Sequence, residues 1–447
     1  MCRQGYIRMS STIEWKPITL ERILAQGNLA EAYRRVVRNK GAAGVDGMEA
    51  GELGAWCQAH PRQISASVLN GTYRPKPIRR QYIPKDNGEK RPLGIPTVTD
   101  RFVQQAVAQV LSEEYEKIFS DSSFGFRPGR SCRMAVDRAL SYLEEGYEWV
   151  IDLDLSKFFD TVNHSKLLQI LSDRIKDGRV VSLIHRFLRA PVCEDGRTGP
   201  KTTQGTPQGG CVSPVLANIL LNELDQRLDA QGRKFVRYAD DMVIMCRSRK
   251  ACERVLERVT KFIETKLFLK VNKTKTKIVH AADGSQFLGF TFTTRVGSKR
   301  RREHPRRKWF ANVHPKKLGK LRAVLAEVLD RRGRGGFRKV QKDLKQKLAG
   351  WCAYFHGCIP PTAMERIDMW IRRRIRQMHW KLWKKPGKRL AEIRKRWPKA
   401  PGIGEYAYSV NSYWRMARTP VINKALSNTN LISEGWTWLE DTESRLG

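Results

Sequence analysis

Two segments with the pattern of β-strands carry clustered carboxylates, and they constrain the fold more than any other part of the chain. In residues 149–155 apolar and acidic positions alternate, which places Asp152 and Asp154 on one face of a strand. In residues 237–244 the adjacent pair Asp240 and Asp241 lies where two apolar strands join. Like charges this close repel unless a cation neutralises them, although a lone acidic pair is also common in solvated turns. Hard carboxylate oxygens suit Mg²⁺, so the two segments together predict a magnesium site.

The rest of the chain is strongly basic, which makes these acids more significant. Its 84 Lys and Arg residues face 45 Asp and Glu residues, so the formal net charge is +39. Such a surplus predicts a polyanionic partner. The 40% hydrophobic share and the 12 Trp residues argue against simple disorder, because disordered chains are poor in aromatic residues.

Other features exclude several classes of protein. No apolar run approaches the ~18 residues of a membrane helix, and residues 1–22 lack the apolar region of a secretory signal. The nine Cys residues are odd in number and include no CxxC pair, which argues against a structural zinc site. We therefore expect a protein of the cytoplasm, in the bacterial cytosol or nucleoid, with reduced thiols and no membrane partner.

The pattern of the chain changes along its length of 447 residues. The first part is mostly helical. From about residue 78 the pattern is mixed α/β, with strand candidates at 80–84 and 91–95 and a helix at 100–115. A basic run, Lys299 to Lys308, precedes helical patterns that begin at Pro315. The predicted segments are 1–75, an N-terminal extension; 76–298, mixed α/β; 299–420, helical; and 421–447, a C-terminal tail.

Five segments resemble the conserved boxes of group II intron-encoded reverse transcriptases, and they occur in the family's order. The YADD sequence at 238–241 resembles the YxDD box of reverse transcriptases, and DLSKFFD at 154–160 resembles their first palm motif. The others are RPLGIP at 91–96, SFGFRPGR at 123–130 and QGTPQGGCVSP at 204–214. The resemblance covers roughly residues 20 to 295, and the basic helical remainder is similar to the family's thumb and maturase region.

The resemblance implies a fold and an activity. The fold is an α/β (α+β) right-hand polymerase, with fingers and a palm built from an antiparallel sheet and helices, followed by a helical thumb and maturase domain. The activity is RNA-directed DNA polymerisation, joined to a maturase function that assists group II intron splicing and mobility by target-primed cDNA synthesis. Its partners are intron RNA, an RNA template with a DNA primer, target DNA and dNTPs.

The resemblance also selects the metal ligands. Alternation alone does not choose between Asp152 and Asp154. The family motif places an aromatic gate five residues after its catalytic acid, and Phe159 lies five residues after Asp154. The implied catalytic triad is therefore Asp154, Asp240 and Asp241, which would hold two Mg²⁺ ions, with Mn²⁺ as a substitute. A ring at Phe159 would crowd a ribose 2′-hydroxyl; ordinary core packing is its alternative.

The nucleotide-binding residues follow from the same boxes. Lys85 and Arg91, on the fingers hairpin, are expected to face the incoming triphosphate, although both also suit a solvated basic surface. Gln208 and Gly209 are expected beside the nucleotide and template. The alternative, which is compatible with this role, is a structural loop before the helix that follows. Lys275 resembles the family's later palm lysine, which assists the leaving pyrophosphate.

Template and primer contacts are implied at further positions. The segment Gly41 to Gly47 resembles a loop that covers the template, with a flexible linker as the alternative. Arg127 and Arg130 fit template phosphates, with packing and salt bridging in the fingers as the alternative. Gly289 lies in a segment similar to the primer-grip turn, with an apolar strand end as the alternative. Trp residues of the basic helices either stack on RNA or, more in keeping with their apolar spacing, form core.

The C-terminal region distinguishes the branch of the family. No His follows His379 and no Cys follows Cys358, so we expect no His-Asn-His endonuclease there, as in class C-like members. Two alternatives remain open: a domesticated host repair or defence reverse transcriptase, and a non-enzymatic splicing cofactor. The three clustered acids disfavour the second.

Overall fold

The computed structural model describes residues 14–84, 88–330 and 335–446. It divides the chain into two compact units, Met1–Phe287 and Leu288–Gly447, which are called unit 1 and unit 2 below. This division falls before residue 298, where the sequence pattern changes. No helix in the described ranges has both the length and the apolar character needed to cross a membrane.

Unit 1 contains two four-stranded sheets, of which the first is mixed and the second is antiparallel. The first has the order β2-β1-β4-β5, in which β1 and β2 form the predicted antiparallel hairpin. The second, called the palm sheet below, has the order β6-β7-β3-β8 and is antiparallel throughout. The strands of these two sheets are β1 (Ile78–Pro84), β2 (Lys90–Ile95), β3 (Trp149–Leu153), β4 (Val192–Glu194), β5 (Arg197–Thr198), β6 (Lys234–Tyr238), β7 (Asp241–Cys246) and β8 (Lys277–His280). A further short strand, β9 (Gln286–Phe287), belongs to neither sheet.

The helices of unit 1 supply most of its core. They are α1 (Leu20–Ile23), α2 (Gln26–Asn39), α3 (Leu53–Ala59), α4 (Gln63–Leu69), α5 (Val98–Tyr115), α6 (Cys132–Glu144), α7 (Phe158–Thr161), α8 (His164–Arg174), α9 (Gly178–Leu188), α10 (Ser213–Ala230) and α11 (Arg249–Lys266). Helices α5 and α10 are buried on most sides, whereas α11 packs one apolar face on the palm sheet.

Strand β3 lies inside the palm sheet because it pairs with β7 on one edge and with β8 on the other. Val150, Ile151 and Leu153 are buried, while Asp152 is only half-buried. The register pairs Leu153 with Met242 of β7 and Asp152 with Lys277 of β8. The strand therefore ends one residue before Asp154, beside the start of β7.

Unit 2 is mainly helical, as predicted, but it also contains a short antiparallel pair. Strands β10 (Phe290–Thr293) and β11 (Phe310–Val313) pair with Phe290 opposite Val313. The helices are α12 (Ser298–Glu303), α13 (Pro315–Val328), α14 (Gly336–Phe355), α15 (Pro361–Leu382), α16 (Pro386–Arg396), α17 (Ile403–Ala407), α18 (Tyr413–Met416), α19 (Pro420–Ala425), α20 (Asn428–Ser433) and α21 (Leu439–Ser444).

The last helix is held by a carboxylate from far earlier in the chain. The backbone N–H groups of Leu439 and Glu440 donate to Oδ1 and Oδ2 of Asp368, at 2.7 and 2.9 Å. These are free donors in the first turn of α21, so Asp368 on α15 caps that helix. The segment predicted as a tail at 421–447 therefore contains a helix, α21, that packs on α14 and α15.

Candidate active site

The adjacent acids lie at the two-residue turn between β6 and β7, with Asp240 in the turn and Asp241 as the first residue of β7. Tyr238 pairs with Asp241 across the hairpin, so Ala239 and Asp240 form the turn itself. Ala239 has φ 58°, a left-handed conformation that an L-residue adopts at some cost. Gly125 packs directly on this turn, since a Cβ at Gly125 would lie 2.2 Å from the Ala239 nitrogen. The turn is thus fixed in one conformation by its neighbours.

A buried guanidinium supports the same turn. Arg237 is 1% exposed, and its Nη1 donates to the Ala239 carbonyl and to Oδ1 of Asn218, each at 2.9 Å. Its Nε and Nη2 bind the Asp225 carboxylate in a bidentate pair, at 2.5 to 3.0 Å. Asn218 in turn donates to the Gly125 carbonyl at 2.8 Å. This network was not predicted from the sequence, although an Arg within an apolar strand pattern indicates a buried partner.

Asp154 follows β3, and the segment before β8 holds its backbone. Its N–H donates to Oγ1 of Thr276 at 3.2 Å, and its carbonyl accepts from the Asn272 N–H at 2.9 Å. Asn272 Oδ1 also accepts from the Lys275 N–H at 3.3 Å. The resulting turn places Lys275 Nζ 3.8 Å from Asp154 Oδ2. The predicted late palm lysine therefore lies beside the predicted catalytic acid.

The carboxylates of these segments form one electrostatic cluster. Desolvation by the surrounding protein raises the pKa of Asp241 to about 6, and the charges of Asp240, Asp152 and Asp154 add to that effect. Burial also raises the pKa of Asp240, again with a contribution from Asp154. Arg91 opposes both shifts, so its positive charge acts on the same site.

The donor set fits divalent cations. It consists of carboxylate oxygens whose mutual repulsion a cation would relieve, and hard oxygen ligands of this kind suit Mg²⁺. Within the described ranges, no three acidic, His or Cys side chains lie close enough together to count as a formed metal cluster. Asp154, Asp240 and Asp241 are the residues that would hold the ions.

A glycine-rich loop joins the β1–β2 hairpin to the segment that carries Phe159. The Gly94 N–H donates to the Gln208 carbonyl at 2.8 Å, and Gly209, with φ 125°, leaves only 2.4 Å between a built Cβ and the Gly94 carbonyl. At the other end of the loop, the Thr206 N–H donates to the Phe159 carbonyl at 2.7 Å. Position 209 therefore requires glycine, both for its backbone conformation and for the close approach of the Gly94 carbonyl.

The two arginines predicted to contact template phosphates, Arg127 and Arg130, differ in their burial and partners. Arg127 does not fit the predicted template contact. It is buried, and its donors bind Glu116 and the carbonyls of Ser120 and Ser123. This is the packing and salt-bridging alternative. Arg130 is paired with Asp121 at 2.8 Å but keeps a 19% exposed side chain.

Two predicted positions are not part of the described site. Lys85 lies outside the described residues. Gly289 belongs to unit 2, where it has φ 84° and its carbonyl accepts from the His314 N–H at 3.0 Å.

Two arginines of the basic run Lys299 to Lys308 form hydrogen bonds within unit 2. Arg300 donates to Asn312 Oδ1 and to the carbonyls of Ala311 and Gly357, while Arg301 donates to the carbonyls of Arg307 and Thr294. Of the basic run Lys299 to Lys308, Arg302, Arg306 and Arg307 are exposed at the surface. Trp380 and Trp383 are buried beneath Arg389 and Arg396, which agrees with the core alternative.

Comparisons with known families agree with this arrangement. Residues 83–292 match the reverse transcriptase (RNA-dependent DNA polymerase) family, and this range contains the acids, the loop and the hairpin strand β2. Residues 318–397 match the group II intron, maturase-specific domain, which covers most of α13 to α16.

Individual relatives support the same assignment. The chain is similar to protein YkfC of Escherichia coli (strain K12), with 37% identity over 301 residues that cover 58% of this chain and 79% of that protein. It is also similar to the group II intron-encoded protein LtrA of Lactococcus lactis subsp. cremoris, with 32% identity over 329 residues that cover 59% of this chain and 54% of that protein. The chain thus spans about half the length of LtrA. These matches confirm that the chain belongs to the group II intron-encoded reverse transcriptases, a family of RNA-directed DNA polymerases with a maturase-specific domain.

Proposed function

We propose that Asp154, Asp240 and Asp241 hold two divalent cations, with Mg²⁺ as the working ion, and that the site extends a DNA primer on an RNA template. Bound cations would activate the primer hydroxyl and neutralise charge on the leaving pyrophosphate. One observation carries the proposal: the Asp154 segment and the Asp240–Asp241 pair meet at one end of the palm sheet, where burial raises the pKa of Asp240 and Asp241 and the charge of Asp154 adds to both shifts.

The other residues of the site would bind and orient the nucleotide. Arg91 and Lys275 bring positive charge to the carboxylates, which suits the phosphates of a dNTP. Phe159 is half-buried against Phe158, and its carbonyl accepts from the Thr206 N–H; in this proposal its ring would crowd a ribose 2′-hydroxyl. Gln208 and Gly209 would then line the base and template side of the same site.

Primer extension tests the chemistry. Purified protein with Mg²⁺, dNTPs and a primed RNA template should make cDNA, and chelation of the cation should stop synthesis. Asp241→Ala should lose synthesis while it still binds the template and primer. Asp283→Ala, which removes an exposed carboxylate elsewhere in unit 1, is the matched control and should keep the wild-type rate. Equal cDNA yield from Asp241→Ala would overturn the site assignment.

We further propose that unit 2 binds the RNA of a group II intron and assists its splicing, and that target-primed cDNA synthesis at a DNA site follows. The match at 318–397 and the exposed basic residues of this unit support this part of the proposal. A splicing assay at low Mg²⁺ tests it, with RNA transcribed from the DNA that flanks the coding sequence of this protein. Added protein should increase the fraction spliced, and an unchanged fraction would contradict the maturase role. The proposal includes a cytoplasmic location, where RNA and dNTPs are available together.

A further inference from the structure

An aromatic side chain beside the catalytic turn is exposed to solvent. Phe126 is 54% exposed, whereas Phe124 and Arg127 on either side of it are buried. Within the described ranges, no other aromatic ring or cation stacks on the Phe126 ring. Its backbone has φ 56°, a left-handed conformation that is costly for an aromatic residue. An exposed ring on a strained backbone indicates a ligand rather than packing.

A second phenylalanine shares both properties, but its conformation has a local cause. Phe268 also has φ 56° and is 56% exposed. It follows Leu267, the C-cap of α11, and left-handed backbone is common directly after a helix. Phe126 lies instead in the irregular segment between α5 and α6, where no helix ends. Its conformation is therefore set by the elements that surround it.

The segment that leads to Phe126 runs to the catalytic turn. Residues 122–125 lie parallel to β6 and form backbone hydrogen bonds of 2.8 and 2.9 Å with it. The segment then packs on the turn at Gly125, where a Cβ would lie 2.2 Å from the Ala239 nitrogen. Because consecutive Cα atoms are about 3.8 Å apart, the Phe126 Cα lies within roughly 8 Å of that nitrogen. The ring is therefore a neighbour of Asp240.

The order of the palm sheet, β6-β7-β3-β8, indicates which substrate group reaches this side. Asp154 follows β3, and Lys275 Nζ lies 3.8 Å from it, just before β8. Phe126 lies on the opposite side, beyond β6. Two cations promote an in-line displacement, in which the attacking and leaving oxygens lie on opposite sides of the phosphorus. If Lys275 marks the side of the leaving pyrophosphate, Phe126 marks the side of the attacking primer hydroxyl.

We propose that Phe126 packs against the deoxyribose of the 3′-terminal primer nucleotide and so positions its hydroxyl at the cations. A phenyl ring offers no charge and no hydrogen bond, and in a paired duplex the base faces are covered by one another. The sugar C–H groups are the apolar surface that remains, and contacts with sugars do not depend on sequence. The inference rests on the proposed function, because the chemistry at the carboxylates fixes where the primer ends.

Primer extension by Phe126→Asn tests the contact. Asparagine lacks the ring but tolerates left-handed backbone, so the midpoint of thermal unfolding should equal or exceed that of wild type. The KM for the primed template should rise by about tenfold, whatever the terminal base pair, because an apolar contact is lost. Phe126→Tyr keeps the ring and should retain the wild-type KM. Phe268→Asn is the matched control, since it changes the same residue type at equal φ and exposure, and should leave KM unchanged.

Photocrosslinking identifies the strand without synthesis. Phe126→p-benzoylphenylalanine is irradiated with a primed RNA template whose two strands carry different labels, in the absence of dNTPs. The crosslink should map to the 3′ end of the primer, and the same substitution at Phe268 should give none there. A crosslink to the template alone, or a wild-type KM for Phe126→Asn, would overturn the proposal. A primer crosslink in a protein that makes no cDNA would support the contact and count against the proposed function.

Discussion

Asp152 and Asp154 lie two residues apart, yet they contact different groups. Asp152 pairs with Lys277 in the neighbouring strand, at 3.8 Å. Asp154 lies beyond the end of the strand, next to Lys275, with its backbone tied to Asn272 and Thr276. Its side chain is therefore directed by a turn rather than by strand pairing. Alternation along the strand could not separate the two acids, whereas the spacing to Phe159 in the family motif could.

The arginines show where prediction from sequence fails at this scale. Arg127 belongs to a family box, but its guanidinium is buried and pairs with Glu116, which lies eleven residues before it. The partner of a long side chain is set by the tertiary packing, which no local spacing encodes. The same holds for Arg237 and Asp225, which meet from separate elements.

Phe159→Ala should relax the choice between dNTPs and rNTPs. Removal of the ring opens space for a ribose 2′-hydroxyl, so the ratio of kcat/KM for dATP over ATP should fall by about tenfold or more. Steady-state incorporation on a primed RNA template measures the ratio. An unchanged ratio would mean that Phe159 serves packing alone.

Gly209→Ala should reduce polymerase activity without unfolding the protein. The residue has φ 125°, and a Cβ would meet the Gly94 carbonyl at 2.4 Å, so the loop must move away from β2. We expect kcat/KM for the dNTP to fall by roughly tenfold to a hundredfold, because positioning of the nucleotide is lost. Gly319→Ala, in a helix with open space around the added methyl group, is the control and should retain activity. Wild-type activity of Gly209→Ala would contradict this.

At the scale of elements, the β6–β7 hairpin depends on a network that its own sequence does not contain. Arg237→Leu leaves Asp225 buried without its partner, so we expect the free energy of unfolding to fall by about 3–5 kcal/mol. Denaturant titration measures the change. Arg249→Leu removes an exposed pair with Glu253 and should change stability by less than about 1 kcal/mol. Similar effects from the two substitutions would show that the network is not a support.

The cap of α21 has a pH dependence with a definite sign. Burial raises the pKa of Asp368 from 3.8 to about 6, although the hydrogen bonds from the Leu439 and Glu440 N–H groups lower it. The folded state therefore binds a proton more tightly than the unfolded state does. The contribution of Asp368 to stability is fully present below pH 4 and falls as the pH rises through 6, by roughly 3 kcal/mol.

Comparison with Asp368→Asn isolates this effect from other titrating groups. The difference in unfolding free energy, wild type minus variant, should fall as the pH rises from about 4 to 6. A difference that stays constant or rises over this range would contradict the assignment. The cap itself was not predictable, because Asp368 and Leu439 are separated by 71 residues.

For the whole molecule, the surplus of positive charge predicted a nucleic-acid partner but not its location. Some of the basic residues hold the protein together, as Arg300 and Arg301 do in unit 2. Others line a pocket between α2 and α5, as Arg35 and Arg38 do, or are exposed between β10 and β11. Only the structure separates these uses, because net charge is a property of composition and contacts depend on folding.

The long elements of the fold were predictable because their patterns are strong. Helix α5, the β1–β2 hairpin and helices α13 to α15 match the sequence expectations closely. Strand β11 was missed, since its four residues follow a basic run and are too few for a periodic signal. Helices α19 to α21 have only six residues each, and α21 packs on α14 and α15 while α19 packs on α16, which no local pattern encodes.

The most direct test of the account compares Asp154→Asn with Asp152→Asn in initial rates of Mg²⁺-dependent cDNA synthesis on one primed RNA template. Both substitutions remove one charge from the same strand end, but only Asp154 is assigned to the cations. We predict that Asp154→Asn loses at least about a thousandfold in rate, since several kcal/mol of transition-state stabilisation depend on the ligand. Asp152→Asn should stay within roughly fivefold of wild type. Near wild-type synthesis by Asp154→Asn, or an equal loss in both variants, would contradict the assignment.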